Sequence, residues 1–211
     1  MRRIVDLTLP IVAGMRGVEI EVAKTLEGHG WNATCLHLYS HCGTHMDAPR
    51  HFLSGGASID TMALDACIGP AKWFDLRPVE PKQEITVDHL GPAANLIGPG
   101  DRILLCTDWH LRHGTPEYRD ALPRIGMPLA QWFVERGVAL VGVEPPSVAD
   151  VHDRQELTAI HRTLLNAGVV IVEGLARLSN IRLPIVELIA LPLKVAAGDG
   201  APARVVAIEE A

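Results

Sequence analysis

The sequence predicts an α/β fold with a strand-rich core and a few packed helices, and three observations point there. Short apolar, β-branched runs recur along the chain. Helical periodicity is confined to three segments. The apolar content is aliphatic, with 48% hydrophobic residues but only 4% aromatic ones. A chain of 211 residues is long enough to bury a core as one domain, expected to span 1–211. Its 19 Gly and 15 Pro supply turns between many short elements.

The expected strands lie, in order, at 4–9, 34–39, 72–76, 102–107, 138–143, 169–173, 186–191 and 205–208. Segment 34–39 alternates, which fits a strand with two unlike faces. The first expected helix, 86–96, is interrupted near Gly91-Pro92. The second, 128–136, has Pro128 in its first turn and Gly137 just past its end. The third, 156–166, repeats Leu157, Ile160, Leu164 and Leu165 at helical spacing, with Gly168 beyond.

Charge and composition narrow the function. The net charge is -6 and there is no Lys/Arg run, so nucleic acid is not an expected partner. No apolar stretch approaches the roughly 20 residues of a membrane-spanning helix, so no membrane partner is expected. Residues 1–6 are basic, but Asp6 interrupts any signal-peptide core, and a cytoplasmic location is expected. Cys35, Cys42, Cys67 and Cys106 form no C-x-x-C pair and read as free thiols.

The chemistry concentrates in residues 41–52, which read H-x-G-T-H-x-D-x-P-x-H-F. His41, His45, Asp47 and His51 thus fall within eleven residues. Imidazole and carboxylate are natural ligands for zinc, manganese or iron. One histidine in a loop is usually solvated; three with Asp, Gly and Pro at this spacing point to a metal. Gly43 and Pro49 disfavour a helix here, and no Glu follows His41, so this is not H-E-x-x-H. A loop after the strand ending near Tyr39 is expected, with Gly43 bending the backbone so that the ligands converge. Thr44 is placed to brace a ligand, and Cys42 is read as a thiol pointing away.

A second set is His161, on the best helix, and Glu173, which closes the apolar run 169–172. A carboxylate at the end of a buried strand needs a partner, and a metal ion is one. Alone the pair is weak: a helix histidine is more often a surface or core residue, and a strand-end glutamate can simply meet solvent.

Together these motifs resemble the cyclase-like metal-dependent hydrolases, which include bacterial kynurenine formamidases and isatin hydrolases. The first motif matches that family's H-x-G-T-H-x-D-x-P-x-H at every defined position, and His161 and Glu173 keep the separation of its second. Val5-Asp6-Leu7-Thr8, Thr107-Asp108-Trp109 and Gly142-Val143-Glu144-Pro145-Pro146-Ser147-Val148 carry the resemblance over most of the chain. It implies a swivelling β/β/α domain and a homodimer or homotetramer. It implies one or two divalent ions, zinc or manganese. His41, His45 and Asp47 would hold one ion; Asp47, His161 and Glu173 would hold a second. His51 would be the acid/base residue and not a ligand.

The implied reaction is hydrolysis of a C–N bond in a small amide or cyclic amide, by a metal-activated water. Lactone hydrolysis, polyketide-type cyclisation and a non-catalytic metal-binding role are the alternatives. Trp31, Phe52, Trp109 and His110 are the aromatic candidates for a substrate rim. The sequence departs from the family in two places. Residues 14–21 carry no Trp where the formamidases have a Trp-Pro-Gly-Asp-like stretch, and Glu144 stands where many relatives carry Asp.

Overall fold

The computed structural model describes residues 2–210. Met1, which opens the basic N-terminal stretch, and Ala211 lie outside them. The strands are β1 (Arg2–Asp6), β2 (Val18–Lys24), β3 (Ala33–Leu38), β4 (His45–Asp47), β5 (Ile68–Asp75), β6 (Glu84–Ile85), β7 (Arg102–Cys106), β8 (Arg124–Ile125), β9 (Leu140–Val143), β10 (Val170–Glu173), β11 (Ile185–Pro192) and β12 (Gly200–Glu210). All eight expected runs are strands, with shifted ends. The helix expected at 156–166 starts earlier, at Arg154–Asn166, because Asp153 caps it by accepting from the backbone N–H groups of Gln155 and Glu156. The second helix is Met127–Glu135. The first is not α-helical: Val87–Leu96 forms 3-10 turns broken at Gly91.

The main sheet runs β12-β11-β5-β7-β9-β10-β4 and closes where β4 pairs with β12, making a seven-stranded barrel. Strands β5, β7, β9 and β10 are mutually parallel. The long β12 carries β4 and then β1 along one edge and β11 along the other.

The pleat sends alternate residues to opposite faces, and the sequence uses both. In β7, Leu104 and Cys106 join a core with Met46, Val172, Leu188 and Ala201, while Ile103 and Leu105 join a second core. That second core lies beneath the two α-helices, which supply Leu129, Phe133, Ile160 and Leu164. Both faces of β7, β9 and β10 are therefore apolar, which is why these strands read as continuous hydrophobic runs. Truncating a fully buried residue such as Phe133 to Ala would cost about 3–5 kcal/mol.

Strands β2 and β3 form a separate two-stranded hairpin with largely exposed residues. Among the described residues no helix is long and apolar enough to cross a membrane.

Candidate metal centre

The period of two in β4 and β10 builds the site. Met46 points into one core, so His45 and Asp47 share the opposite face. Antiparallel pairing sets His45 opposite Glu173 and Asp47 opposite Ile171. That face lies under the Arg154–Asn166 helix, which delivers His161 from above. The loop expected around His45 and Asp47 is therefore a strand. The turn before it, where Gly43 adopts φ 59°, is irregular, and after it Pro49–His51 forms a 3-10 turn that carries His51.

Four of these side chains are almost wholly buried: His45, Asp47, His161 and Glu173. His45 Nε2 lies 3.1 Å from Glu173 Oε2 and 3.7 Å from Asp47 Oδ1. His161 Nε2 lies 3.4 Å from Glu173 Oε1 and 3.5 Å from Asp47 Oδ2. His41 Nδ1 lies 2.9 Å from Asp47 Oδ1. The outer nitrogens are anchored. His45 Nδ1 donates to Gly43 O at 3.0 Å and His161 Nδ1 to Leu157 O at 2.7 Å, so both Nε2 atoms face inward. Thr44 touches no ligand. It donates to Gly174 O and accepts from Leu9 N–H, which braces the turn against the end of β10.

Three sets at this site are compact enough to hold a cation: His41, His45 and Asp47; Asp47, His161 and Glu173; and the less buried His41, His51 and Asp199. Asp47 belongs to the first two, and its buried Oδ2 has no hydrogen-bond partner. A buried carboxylate oxygen left unpaired among inward-facing imidazoles fits a bound divalent ion. The electrostatics agree. Burial opposes charging His41, but the Asp47 carboxylate outweighs it and raises its pKa to about 9. Burial likewise opposes charging His45 and His161, but Glu173 outweighs it and shifts both upward. Burial would raise Glu173, yet His161 and His45 hold it well below the usual carboxylate range. The carboxylates thus favour a positive charge here, and a metal ion would replace protons.

His51 stands apart. It lies outside the two sets that contain Asp47 and groups with His41 and Asp199, stacks on the His41 ring at 3.9 Å, and is shifted downward by burial and by His41 and His161. Beside both rings is Asp199, which the motifs did not reveal: its Oδ2 is 3.2 Å from His41 Nε2 and 3.5 Å from His51 Nδ1. A cavity of about 760 Å³ opens onto His41, His45, His51, His161 and Glu173. Its lining also includes Met15 and Arg16, from the segment 14–21 that departs from the formamidase pattern, and Tyr39, Tyr118 and Arg119, which the sequence did not mark as pocket residues.

Of the four aromatic candidates, only Phe52 lines this cavity, where it stacks on His161 at 4.3 Å. Trp109 is fully buried in the helix-side core and its indole N–H is taken by Tyr118 O at 2.8 Å. Trp31 is exposed on the connection between β2 and β3. His110 lies 2.9 Å from Glu144 and lines a different cleft, with Arg177 and Arg204.

A family model described as "Putative cyclase" matches residues 5–150. A kynurenine formamidase of Salinibacter ruber is 37% identical over 175 residues, which cover 83% of this chain and 79% of the relative. Isatin hydrolase A from Ralstonia solanacearum superposes with a TM-score of 0.85 at 27% identity, over 99% of this chain and 92% of its own. A structure described as a potential metal-dependent hydrolase with cyclase activity superposes with a TM-score of 0.81 at 29% identity, over the whole of both chains.

Proposed function

This chain belongs to the cyclase family, and from that premise we infer that it is a metal-dependent hydrolase of a non-peptide C–N bond in a small amide or cyclic amide. The observation that carries this reading is the pair of donor triads sharing Asp47, whose buried Oδ2 has no hydrogen-bond partner. His41, His45, Asp47, His161 and Glu173 are the residues that would hold one or two ions. Their nitrogen and carboxylate donors suit zinc and manganese alike. A divalent ion held here supplies an activated water at neutral pH and polarises the scissile carbonyl. His51 faces the cavity beside the cluster and lies outside both triads that contain Asp47, and its lowered pKa suits a neutral base. It takes a proton from the attacking water and delivers it to the leaving nitrogen.

A cavity of about 760 Å³ suits a small-molecule substrate. Phe52 offers an aromatic face, and Met15 and Arg16 occupy the segment in which this chain departs from the formamidase pattern. The choice between an open-chain aryl formamide and a lactam ring is made at those residues. We also propose a homodimer or homotetramer, supported by exposed Val22, Leu26, Trp31 and Leu36 on and beside the β2–β3 hairpin, because an isolated hairpin is marginally stable. A cytoplasmic location is supported by four free cysteines, and residues 1–211 are proposed as one domain.

The test is hydrolysis of N-formylkynurenine and of isatin by metal-loaded protein, with a chelated sample as control. Turnover of one of them at about 10⁴ M⁻¹s⁻¹ or better, lost on chelation and restored by metal, is expected. Metal-loaded protein inert towards both and towards a panel of aryl amides would overturn the reading.

A further inference from the structure

Asp199 sits in the turn Gly198-Asp199-Gly200 that leads into β12. Three features hold it in place. Its carbonyl accepts from Ala48 N–H at 2.9 Å. Gly200, which follows it, is in register with Asp47. A Cβ on Gly200 would lie 2.6 Å from His41 Cε1, so this position admits the His41 ring only because it has no side chain. One carboxylate oxygen, Oδ2, thereby reaches two imidazoles stacked 3.9 Å apart: Nε2 of His41 at 3.2 Å and Nδ1 of His51 at 3.5 Å. The opposite nitrogen of His41, Nδ1, is the one that faces Asp47.

We propose that Asp199 is a positioning residue for both rings, accepting an N–H from His41 Nε2 and from His51 Nδ1. The consequence for His41 is that its unprotonated Nδ1 is aimed at the ion site. The consequence for His51 is that Nε2 becomes the nitrogen available to accept the water proton. A ligand imidazole whose far N–H is held by a carboxylate is a common way to fix ring orientation and tautomer. Here the same oxygen would link the metal ligand to the base, so ion binding and proton transfer share one support. This rests on the hydrolase reading for its kinetic consequence, but not for its structural one.

The test uses the full-length, metal-loaded chain carrying Asp199→Ala or Asp199→Asn. Imidazole ¹H–¹⁵N correlation reads the tautomers, elemental analysis reads metal per chain, and steady-state rates are taken on the substrate found above. In the native chain His51 is expected as the Nδ1–H tautomer. In Asp199→Ala that preference is lost and kcat falls about 10–100-fold, while KM stays within about twofold and metal per chain at saturation is unchanged. Asp199→Asn keeps an acceptor oxygen and recovers most of the loss. Unchanged tautomers in a folded Asp199→Ala variant would overturn the proposal. Loss of a metal equivalent would overturn it differently, by making Asp199 a ligand. A native chain that binds metal but hydrolyses nothing would count against the hydrolase reading alone, since the tautomer measurement needs no substrate.

Discussion

Two neighbouring parallel strands each lead into a buried glutamate, and the two differ in how far the protein's own donors occupy them. Glu144 follows β9 and Glu173 ends β10; both are almost wholly buried. Each also lies in a set compact enough to hold a cation: Cys106, Asp108 and Glu144 in one case, Asp47, His161 and Glu173 in the other. The partners separate them. Glu144 Oε2 accepts from the Thr107 N–H at 2.8 Å and the Thr107 hydroxyl at 3.1 Å, and Oε1 accepts from Leu178 N–H at 3.4 Å and lies 2.9 Å from the single imidazole there, His110. Its thiol neighbour is pushed far up by burial, away from the thiolate a metal needs. Glu173 accepts one backbone N–H, from Val148, and otherwise faces imidazoles. Burial and compactness do not mark a metal centre. Nor does one unpaired oxygen, since Asp108 Oδ1 and Asp47 Oδ2 both lack a hydrogen-bond partner; the difference is that two imidazoles face Asp47 and Glu173, while the Glu144 oxygens are largely taken by backbone and hydroxyl donors.

The comparison can be broken most severely at Asp47. Asp47→Asn removes the ligand common to both triads, and hydrolysis should fall on the order of 10⁴-fold or more with loss of bound metal. Retained metal in that variant would show that the triads do not share it. His51→Ala is next: kcat should drop about 10²–10³-fold while elemental analysis finds metal unchanged. Loss of metal there would make His51 a ligand.

Smaller effects sharpen the contrast. A metal-binding imidazole must be neutral, and in the metal-free protein His41 stays protonated up to about 9. Ion affinity should therefore climb as pH rises from about 6.5 towards 9, by up to about tenfold per unit for each proton displaced, and level off above. Competition with a chelator of known affinity measures this; a flat profile would mean that His41 is not displaced from its proton by the ion. The smallest effect belongs to Glu144→Gln, which sets an amide among N–H and O–H donors. It should cost about 1–3 kcal/mol, at about 2–4 °C in Tm per kcal/mol, as read by calorimetry.

What could be read in the sequence follows from range along the chain. The candidate site residues of 41–51 sit close together, and their residue types and spacing pointed to a metal site without a fold. The barrel strands were legible because both faces of β7, β9 and β10 are apolar. Strand β4 was not: in His45-Met46-Asp47 only one residue faces a core, and the polar face is the site itself. Strand β2 did carry alternation, in Val18, Ile20 and Val22 between Glu19 and Glu21, but it forms a hairpin outside the barrel. Asp199 could not be paired with His41 from sequence, because 158 positions separate them and only closure of β12 on β4 joins them. Trp109 follows a strand, as rim residues often do, but Asp108 takes a left-handed turn (φ 54°) and the indole enters the core.

The central claim is that the Glu173 cluster, and not its Glu144 neighbour, is the metal centre. The most direct measurement is metal bound per chain after dialysis against zinc or manganese, for the native protein, Glu173→Gln and Glu144→Gln side by side. The account predicts that Glu144→Gln retains the native stoichiometry and that Glu173→Gln loses at least one equivalent. Equal binding by Glu173→Gln and the native chain, or loss confined to Glu144→Gln, would contradict it.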